Sequence, residues 1–309
     1  MTAVPEPGRH AYRDILPYAG AILAMLLFAG NYIAGRHAAG RGFLPADLVA
    51  LRYAIAAAAT LPLLLRHGSV SHLAGIGWRK GAILTLLAGA PYTALGFAGL
   101  ALAPAGHGAV LNPGCMMVAG VFLSAVVFRE RPGAGALAGM AIVIAGLVLV
   151  AAGSIVQGSA PGSVDVRIGD LLLAGSGLQY AIFMILVRRW RIGALQGTAA
   201  LNLISAILWL PPYLLLTGTG MFERLPLADI AFQAVLQGIV IGVIAGVLYI
   251  HAVGALGPAR AAFFPASLPV IGTVLATILL GEPMTLPQIG GALAVCAGMV
   301  LALAPPRQR

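Results

Sequence analysis

The chain has 309 residues, of which 60% are hydrophobic and only 9% are charged. Soluble domains carry about 25% charged residues, so this composition excludes an ordinary soluble protein and indicates an integral membrane protein. The net charge of +9 does not point to nucleic acid, because the basic residues stand singly or in threes between apolar segments, as topology signals do.

Ten apolar segments follow one another along the chain, each near the ~20 residues that a helix needs to cross a bilayer. We place them at residues 15–35, 47–65, 81–101, 105–128, 133–152, 169–187, 199–216, 230–253, 258–280 and 286–304. They must be helices, since every backbone N–H and C=O in hydrocarbon needs an internal partner, and the period-2 alternation of barrel strands is missing. The predicted fold class is therefore an all-α integral membrane protein with ten transmembrane helices.

An internal repeat divides these spans into two halves of five. Five landmarks recur with a single offset of 152 residues: Pro113, Glu130, Gly139, Ala145 and Gly146 recur as Pro265, Glu282, Gly291, Ala297 and Gly298. Two related halves in a membrane chain indicate a transporter whose site lies where they meet. The predicted organisation is an N-terminal tail at 1–14, a first five-helix repeat at 15–153, a connecting loop at 154–168, a second repeat at 169–304 and a tail at 305–309.

The placement of Lys and Arg predicts the orientation. When both termini are set in the cytoplasm, most of the 18 basic residues fall on the cytoplasmic side. Five is an odd number, so the halves then form two inverted repeats, the architecture behind many alternating-access carriers. Glu130 faces the cytoplasm and Glu282 faces outward. Each acid is expected to stabilise the start of the helix that follows it.

Polar side chains inside the apolar spans are the candidate site residues. An unsatisfied polar group is costly in lipid, so these side chains are expected to face the bundle interior. There they either hold helices together or line a wet substrate cavity. The substrate-binding candidates are Asn31, Tyr92, Asn112, Gln179, Tyr180, Tyr249 and Ser267, with Tyr92, Gln179, Tyr180 and Ser267 placed first for their central depth.

Four prolines lie within or near the middle of spans, namely Pro91, Pro113, Pro265 and Pro269. Each removes a helix hydrogen bond and frees a carbonyl further back. In transporters such breaks cluster beside the substrate, so we predict that these residues are hinges or helix breaks. A simple kink is the alternative.

Charged and metal-binding side chains are scarce inside the spans. All nine acidic residues fall in loops or at span ends, whereas proton relays usually need a carboxylate at mid-membrane. His107 and His251 could titrate, but each lies near an interface, so proton coupling is not predicted. No catalytic residue, metal site or other cofactor is predicted, because carboxylates, His and Cys do not converge. Arg36 and Arg52 on the outer side either snorkel to the interface or attract an anionic group.

Three motifs stand in a characteristic order and spacing. The first is Leu280-Gly281-Glu282-Pro283, followed by Gly290-Gly291 and Ala297-Gly298. The second is Phe128-Arg129-Glu130-Arg131-Pro132, followed by Gly139 and Ala145-Gly146. The third is the pair of span starts Leu51-Arg52-Tyr53 and Gly169-Asp170-Leu171. Together they resemble the EamA-type transporters of the drug/metabolite transporter superfamily over residues 15–304. The resemblance implies ten helices, cytoplasmic termini and a central cavity lined by spans 1, 3, 4, 6, 8 and 9. It also implies movement of amino acids or similar metabolites across the inner membrane, often outward.

The function that we predict is a secondary transporter that moves small organic metabolites, amino acids or related compounds, outward by alternating access. Two alternatives stay open. A nucleotide-sugar or phosphate-ester exchanger needs a buried Lys or Arg facing the pocket, and a membrane-embedded enzyme acting on lipid-linked substrates needs clustered His, Asp or Glu. The predicted partners are a small-molecule substrate and the lipid bilayer, with no nucleic acid. The oligomeric state is left open.

Overall fold

The computed structural model describes residues 8–66, 72–73, 75–156, 163–256 and 264–303, and all regular structure within these ranges is helical. The first half contains α1 (Gly8–Gly40), α2 (Pro45–Arg66), α3 (Trp78–Ala88), α4 (Ala90–Leu102), α5 (Ala105–Phe128) and α6 (Ala134–Val156). The second half contains α7 (Ser163–Trp190), α8 (Ala194–Thr217), α9 (Gly220–Arg224), α10 (Leu227–Ala234), a π-helical segment (Val235–Ala245), α11 (Gly246–Leu256), a 3₁₀ turn (Phe264–Ser267), α12 (Leu268–Leu280) and α13 (Leu286–Leu303). The all-α class is confirmed.

Eight described helices are long and apolar enough to cross a membrane. The 3₁₀ turn and α12 together form a shorter apolar helix, Phe264–Leu280, and α2 is not among the eight. Helices overlap all ten predicted spans, and a count of ten crossings stays a prediction. Residues 1–7 and 305–309 of the predicted tails, 157–162 of the predicted loop, 258–263 of the predicted ninth span and residue 304 of the predicted tenth span lie outside the described residues.

Contacts between the two halves come in pairs that are equivalent under the repeat. Helix α5 packs along α7, and its counterpart α12 packs along α1. Helix α4 packs on α7, as α11 packs on α1, and the contact of α2 with the π-helical segment is matched by that of α3 with α8. The halves therefore form one bundle whose interior lies at their interface.

The last helices of the two halves, α6 and α13, make the most intimate contact. A Cβ atom added to Gly139 would lie 2.4 Å from the carbonyl oxygen of Gly298, and one added to Gly146 would lie 2.6 Å from that of Gly291. Glycines at these crossings let the two backbones approach directly. Because the start of α6 meets the end of α13, these two helices run in opposite directions.

Helices α5 and α12 end in the same way. Each is followed by a residue in the left-handed conformation, Arg129 with φ 55° and Gly281 with φ 64°, at positions related by the repeat offset. A left-handed residue ends a helix and turns the chain sharply. The residues that follow these turns are Glu130 and Glu282.

The third predicted span is interrupted between α3 and α4, where Pro91 stands in the first turn of α4. The Ala90 N–H donates to Ser205 Oγ at 3.1 Å, and Gln179 Nε2 donates to the Leu86 carbonyl oxygen at 2.5 Å. Side chains of α8 and α7 thus supply two hydrogen bonds that a continuous helix would have made within itself.

The other three prolines occupy different settings. Pro113 lies inside the continuous helix α5. Pro265 lies in the 3₁₀ turn, and Pro269 lies in the first turn of α12. Proline is well tolerated in a first turn, where its missing N–H would have no partner within the helix. A hinge role for any of the four stays a prediction.

Candidate functional site

A small, partly open cavity of about 60 Å³ lies among α1, α2, α4, α5 and α7, so both halves contribute to its wall. Small-molecule sites are generally larger, about 300–1,000 Å³, so the cavity in this conformation would hold only a small group of atoms. The polar and aromatic side chains of its wall include Asn31, Arg52, Tyr92, Phe97, Asn112 and Ser176.

Arg52 is the cationic side chain in this wall. Its Nη2 donates to Asn31 Oδ1 at 2.6 Å and to Gln237 Oε1, and the guanidinium carbon lies 5.2 Å from the centroid of the Phe97 ring. Its Nε is buried and has no hydrogen-bond partner among the described residues. Arginine stays ionised in proteins, so a full positive charge stands beside the cavity with neutral partners.

Two buried amides of the second half hold Arg52 in place. Gln237 is fully buried in the π-helical segment, and its Nε2 donates to Gln233 Oε1 at 3.4 Å. Gln233 in turn donates to the carbonyl oxygen of Ala34 in α1 at 3.4 Å. π-Helical turns are rare and frequently occur at functional sites. Here that segment carries the amide which orients the cavity arginine.

Asn112 is a second polar residue of the cavity wall. Its Oδ1 accepts a hydrogen bond from the Tyr32 hydroxyl at 3.3 Å, and its Nδ2 donates to Ser176 Oγ at 2.6 Å. Gly177 allows α7 to approach this turn of α5, since a Cβ atom there would lie 2.3 Å from the Asn112 carbonyl oxygen. This network links α1, α5 and α7 across the interface between the halves.

Three of the substrate-binding candidates line the cavity, namely Asn31, Tyr92 and Asn112. Tyr180 stands beside the wall, because its ring packs against that of Tyr92 with the centroids 5.3 Å apart. Gln179 instead serves the break between α3 and α4.

The remaining two candidates lie elsewhere in the bundle. Tyr249 packs edge-on against Phe28, with centroids 6.5 Å apart, and Ser267 donates to the Phe264 carbonyl oxygen at 2.7 Å within its own 3₁₀ turn. Neither belongs to the cavity wall.

Sequence reasoning missed the central role of Arg52 and Gln237. Arg52 is predicted to lie on the outer side, where it snorkels or attracts an anionic group, and in the structure it lines the cavity wall from the second turn of α2. Gln237 is a polar residue inside an apolar span, the same signal that selected the other candidates, and it was overlooked.

An ion pair closes one end of the bundle. Arg36 Nε lies 2.8 Å from Glu282 Oε1, and Arg36 Nη1 also donates to the Ala101 carbonyl oxygen at 3.0 Å. Glu282 Oε2 accepts the N–H of Ala105 at 2.9 Å. Glu282 therefore stabilises the N-terminus of α5. The predicted stabilisation of the helix that follows Glu282 stays a prediction.

A second ion pair, between Arg188 and Glu130, stands at the other end of α5. Arg188 Nη1 donates to Glu130 Oε2 at 3.1 Å, and Nη2 pairs with Oε1. The hydrogen bonds from Arg188 lower the pKa of the Glu130 carboxyl group below its ordinary value. The helix of 24 residues between the two acids spans about 36 Å, so the pairs are far apart.

These two ion pairs are related by the repeat. Arg188 follows Arg36 by the same 152 residues that separate Glu282 from Glu130. The pairs differ in exposure. The side chains of Arg36 and Glu282 are 30% and 22% exposed, against 55% and 46% for Arg188 and Glu130. The Arg36–Glu282 pair is thus the more buried of the two.

A buried network around His107 joins α5, α7 and α13. His107 Nδ1 lies 2.8 Å from Asp170 Oδ1, and its Nε2 lies 2.8 Å from Gln288 Nε2. Because the Gln288 amide nitrogen can only donate, Nε2 accepts and Nδ1–H donates to Asp170, which defines one neutral tautomer. His107 is therefore not the isolated histidine that its sequence position suggested.

Comparison with known proteins identifies the chain. The model of the EamA-like transporter family matches residues 15–152 and again residues 167–304. The chain belongs to the EamA-like transporter family. The second EamA-like segment begins and ends 152 residues after the first, which is the offset of the internal repeat. The predicted resemblance is confirmed, and the chain is a multi-pass membrane transporter.

Two further comparisons find proteins that are similar over nearly the whole chain. The uncharacterized protein PA1977 of Pseudomonas aeruginosa is 31% identical over 286 residues, which cover 92% of this chain and 93% of that protein. A solved structure described only as "Crystal structure of protein" superposes with a TM-score of 0.61 at 21% identity, over 93% of this chain and 96% of the other. At that identity the likeness shows the shared fold alone.

Proposed function

We propose that the chain is a secondary carrier that moves small organic metabolites, amino acids or related compounds, outward across the inner membrane by alternating access. The observation that carries the proposal is the polar cavity at the interface between the two repeats, with Asn31, Arg52 and Asn112 in its wall. Carriers built from repeats bind their substrate at such an interface. The direction and the membrane are taken from the family resemblance.

An inverted relation of the two repeats, with both termini in the cytoplasm, is part of the proposal. Two observations support it. The equivalent helices α6 and α13 cross in opposite directions, with Gly139 against Gly298 and Gly146 against Gly291. The equivalent residues Glu130 and Glu282 lie at opposite ends of α5.

The two ion pairs are the proposed gates. At one end, Arg36 and Glu282 tie α1 to the turn after α12 and to the backbone of α4 and α5. At the other end, Arg188 and Glu130 tie α7 to the turn after α5. In alternating access the cavity opens to one side at a time, so one pair breaks while the other holds.

The test is solute counterflow in liposomes that contain the purified protein and a preloaded panel of metabolites. We expect exchange of at least one small amino acid or related compound, and no exchange of any solute would contradict a carrier. Glu282→Gln and Glu130→Gln should each change the exchange rate, since each removes one ion pair. Glu223→Gln is the matched control, because Glu223 is exposed and, among the described residues, its side chain accepts a hydrogen bond from the nearby Thr219 alone.

A phosphate-ester exchanger is the second candidate function. It requires a cationic side chain that faces the pocket, and Arg52 is such a side chain. The same counterflow panel tests this candidate when it includes phosphate monoesters.

A further inference from the structure

Arg52 differs from the arginines that form ion pairs. Arg36, Arg41, Arg188 and Arg224 each lie within 4 Å of a carboxylate oxygen. In the described part of the chain no ion pair includes Arg52, whose hydrogen bonds go to the neutral amide oxygens of Asn31 and Gln237. Its positive charge is thus balanced by dipoles alone.

An interior charge without a counter-ion is costly, because neutral groups replace only part of its hydration. The ring of Phe97 adds a cation–π contact, which again brings no negative charge. An anion that enters the cavity would therefore gain more from Arg52 than from any neutral wall residue.

The guanidinium also has donors to spare. Of its five N–H groups, the two on Nη2 are used by Asn31 and Gln237. The Nε donor is buried and has no hydrogen bond to any described residue. The planar fork of an arginine matches the two oxygens of a carboxylate, and hydrogen bonds between ions are about twice as strong as neutral ones.

The charge of the cavity wall distinguishes a carboxylate from a phosphate. Arg52 is the one cation among the described wall residues, and the wall has no carboxylate. A single negative charge would therefore neutralise the site. A phosphate monoester carries about −1.5 to −2 at neutral pH and would bring excess negative charge into it.

We propose that Arg52 binds the carboxylate group of the transported solute, so that the substrate class is small monocarboxylic acids, with amino acids among them. The proposal rests on the proposed carrier function and names its substrate class. Asn31 and Gln237 hold the guanidinium, while the rings of Tyr92 and Phe97 face the organic part of the solute.

Binding to the purified wild-type protein tests the proposal without any transport step. Thermal stabilisation and titration calorimetry would compare a panel of monocarboxylates of two to ten carbons with their amides. The panel includes 3-phenylpropanoate against 3-phenylpropanamide and phenylalanine against phenylalaninamide. We expect at least one acid to bind about tenfold or more tightly than its amide. Equal binding of every acid and its amide, or no binding of any acid, would overturn the proposal.

The phosphate arm uses 2-phenylethyl phosphate, which carries the same 2-phenylethyl group as 3-phenylpropanoate. Weaker binding of this ester than of the matched acid supports the single-charge argument. Tighter binding would overturn the carboxylate assignment in favour of a phosphate ester. Because the readout is binding, a carboxylate preference without counterflow would refute the carrier function and leave the site intact.

Two variants assign the effect to Arg52. In Arg52→Gln the acid and its amide should bind equally, and Arg52→Lys should keep part of the preference because the charge is retained. Arg41→Gln is the control, since Arg41 is exposed and pairs with Asp229 away from the cavity. An acid preference that survives in Arg52→Gln would place the anion elsewhere. The wild-type comparison of acids with amides decides the matter if that variant fails to fold.

Discussion

Replacement of Gly139 by alanine tests the packing of α6 on α13 directly. The added Cβ atom would lie 2.4 Å from the Gly298 carbonyl oxygen and 2.7 Å from the Ala302 nitrogen. Both are backbone atoms, so no side-chain rotation can relieve the overlap. Ordinary contact begins near 3.4 Å, so the two helices would have to separate by about 1 Å.

The magnitude follows from two opposing effects. Overpacking of a well-packed contact costs about 1–3 kcal/mol. Alanine in place of glycine inside a helix contributes about 0.5–1 kcal/mol in the other direction. We therefore expect Gly139→Ala to lower the free energy of unfolding by about 1–2 kcal/mol, and the melting temperature by about 1.5–3 °C. Gly146→Ala should behave alike, since its Cβ would lie 2.6 Å from the Gly291 carbonyl oxygen.

The assay is thermal melting of the detergent-solubilised protein, with Gly290→Ala as the control. Gly290 is next to Gly291 in α13, and no atom lies within 4 Å of its added Cβ. This control should melt at the wild-type temperature or slightly above it. Equal melting temperatures for Gly139→Ala and Gly290→Ala would refute the close backbone contact.

Three further predictions concern single polar side chains. Asp47→Asn should lower the free energy of unfolding by about 2 kcal/mol in melting experiments, because Asp47 is fully buried and accepts hydrogen bonds from a tyrosine and an arginine of the second half. The control Glu223→Gln should melt near the wild-type temperature. Gln179→Leu should lower the free energy of unfolding by about 1 kcal/mol, because the Leu86 carbonyl oxygen at the break between α3 and α4 loses its hydrogen-bond donor. An unchanged melting temperature would contradict this role of Gln179. The pKa of Glu130 is lowered by Arg188, so their ion pair should persist as the pH falls from 7 and break only below the ordinary carboxyl range. The counterflow rate of the wild type should change at that acid pH, whereas the rate of Glu130→Gln should not.

Several features of the fold could be predicted from the order of residues alone. The offset of 152 residues that relates Glu130 to Glu282 is readable in the sequence, and the family match repeats it. The same offset relates Arg36 to Arg188. Both ion pairs could therefore have been predicted from the sequence by giving each acid the arginine at the equivalent position of its repeat. It was missed because both acids were assigned to the helices that follow them.

The candidate site was predicted less well. Asn31, Tyr92 and Asn112 line the cavity, whereas Gln179 serves a helix break and Tyr249 packs on an aromatic ring. Neighbours in sequence separate in space, because successive helix residues point about 100° apart. Which neighbour faces the cavity depends on the rotation of each helix about its axis.

Composition and repeat determined by themselves that this chain is helical, embedded in a membrane and built from two related halves. Lipid imposes helices on any apolar segment of sufficient length, so these properties do not depend on how the helices pack. Only the tertiary structure decided that Arg52 faces a cavity and that neutral amides hold it. In a membrane bundle the lipid-facing and the interior surfaces are both apolar, so periodicity gives little information on which side of a helix turns inward.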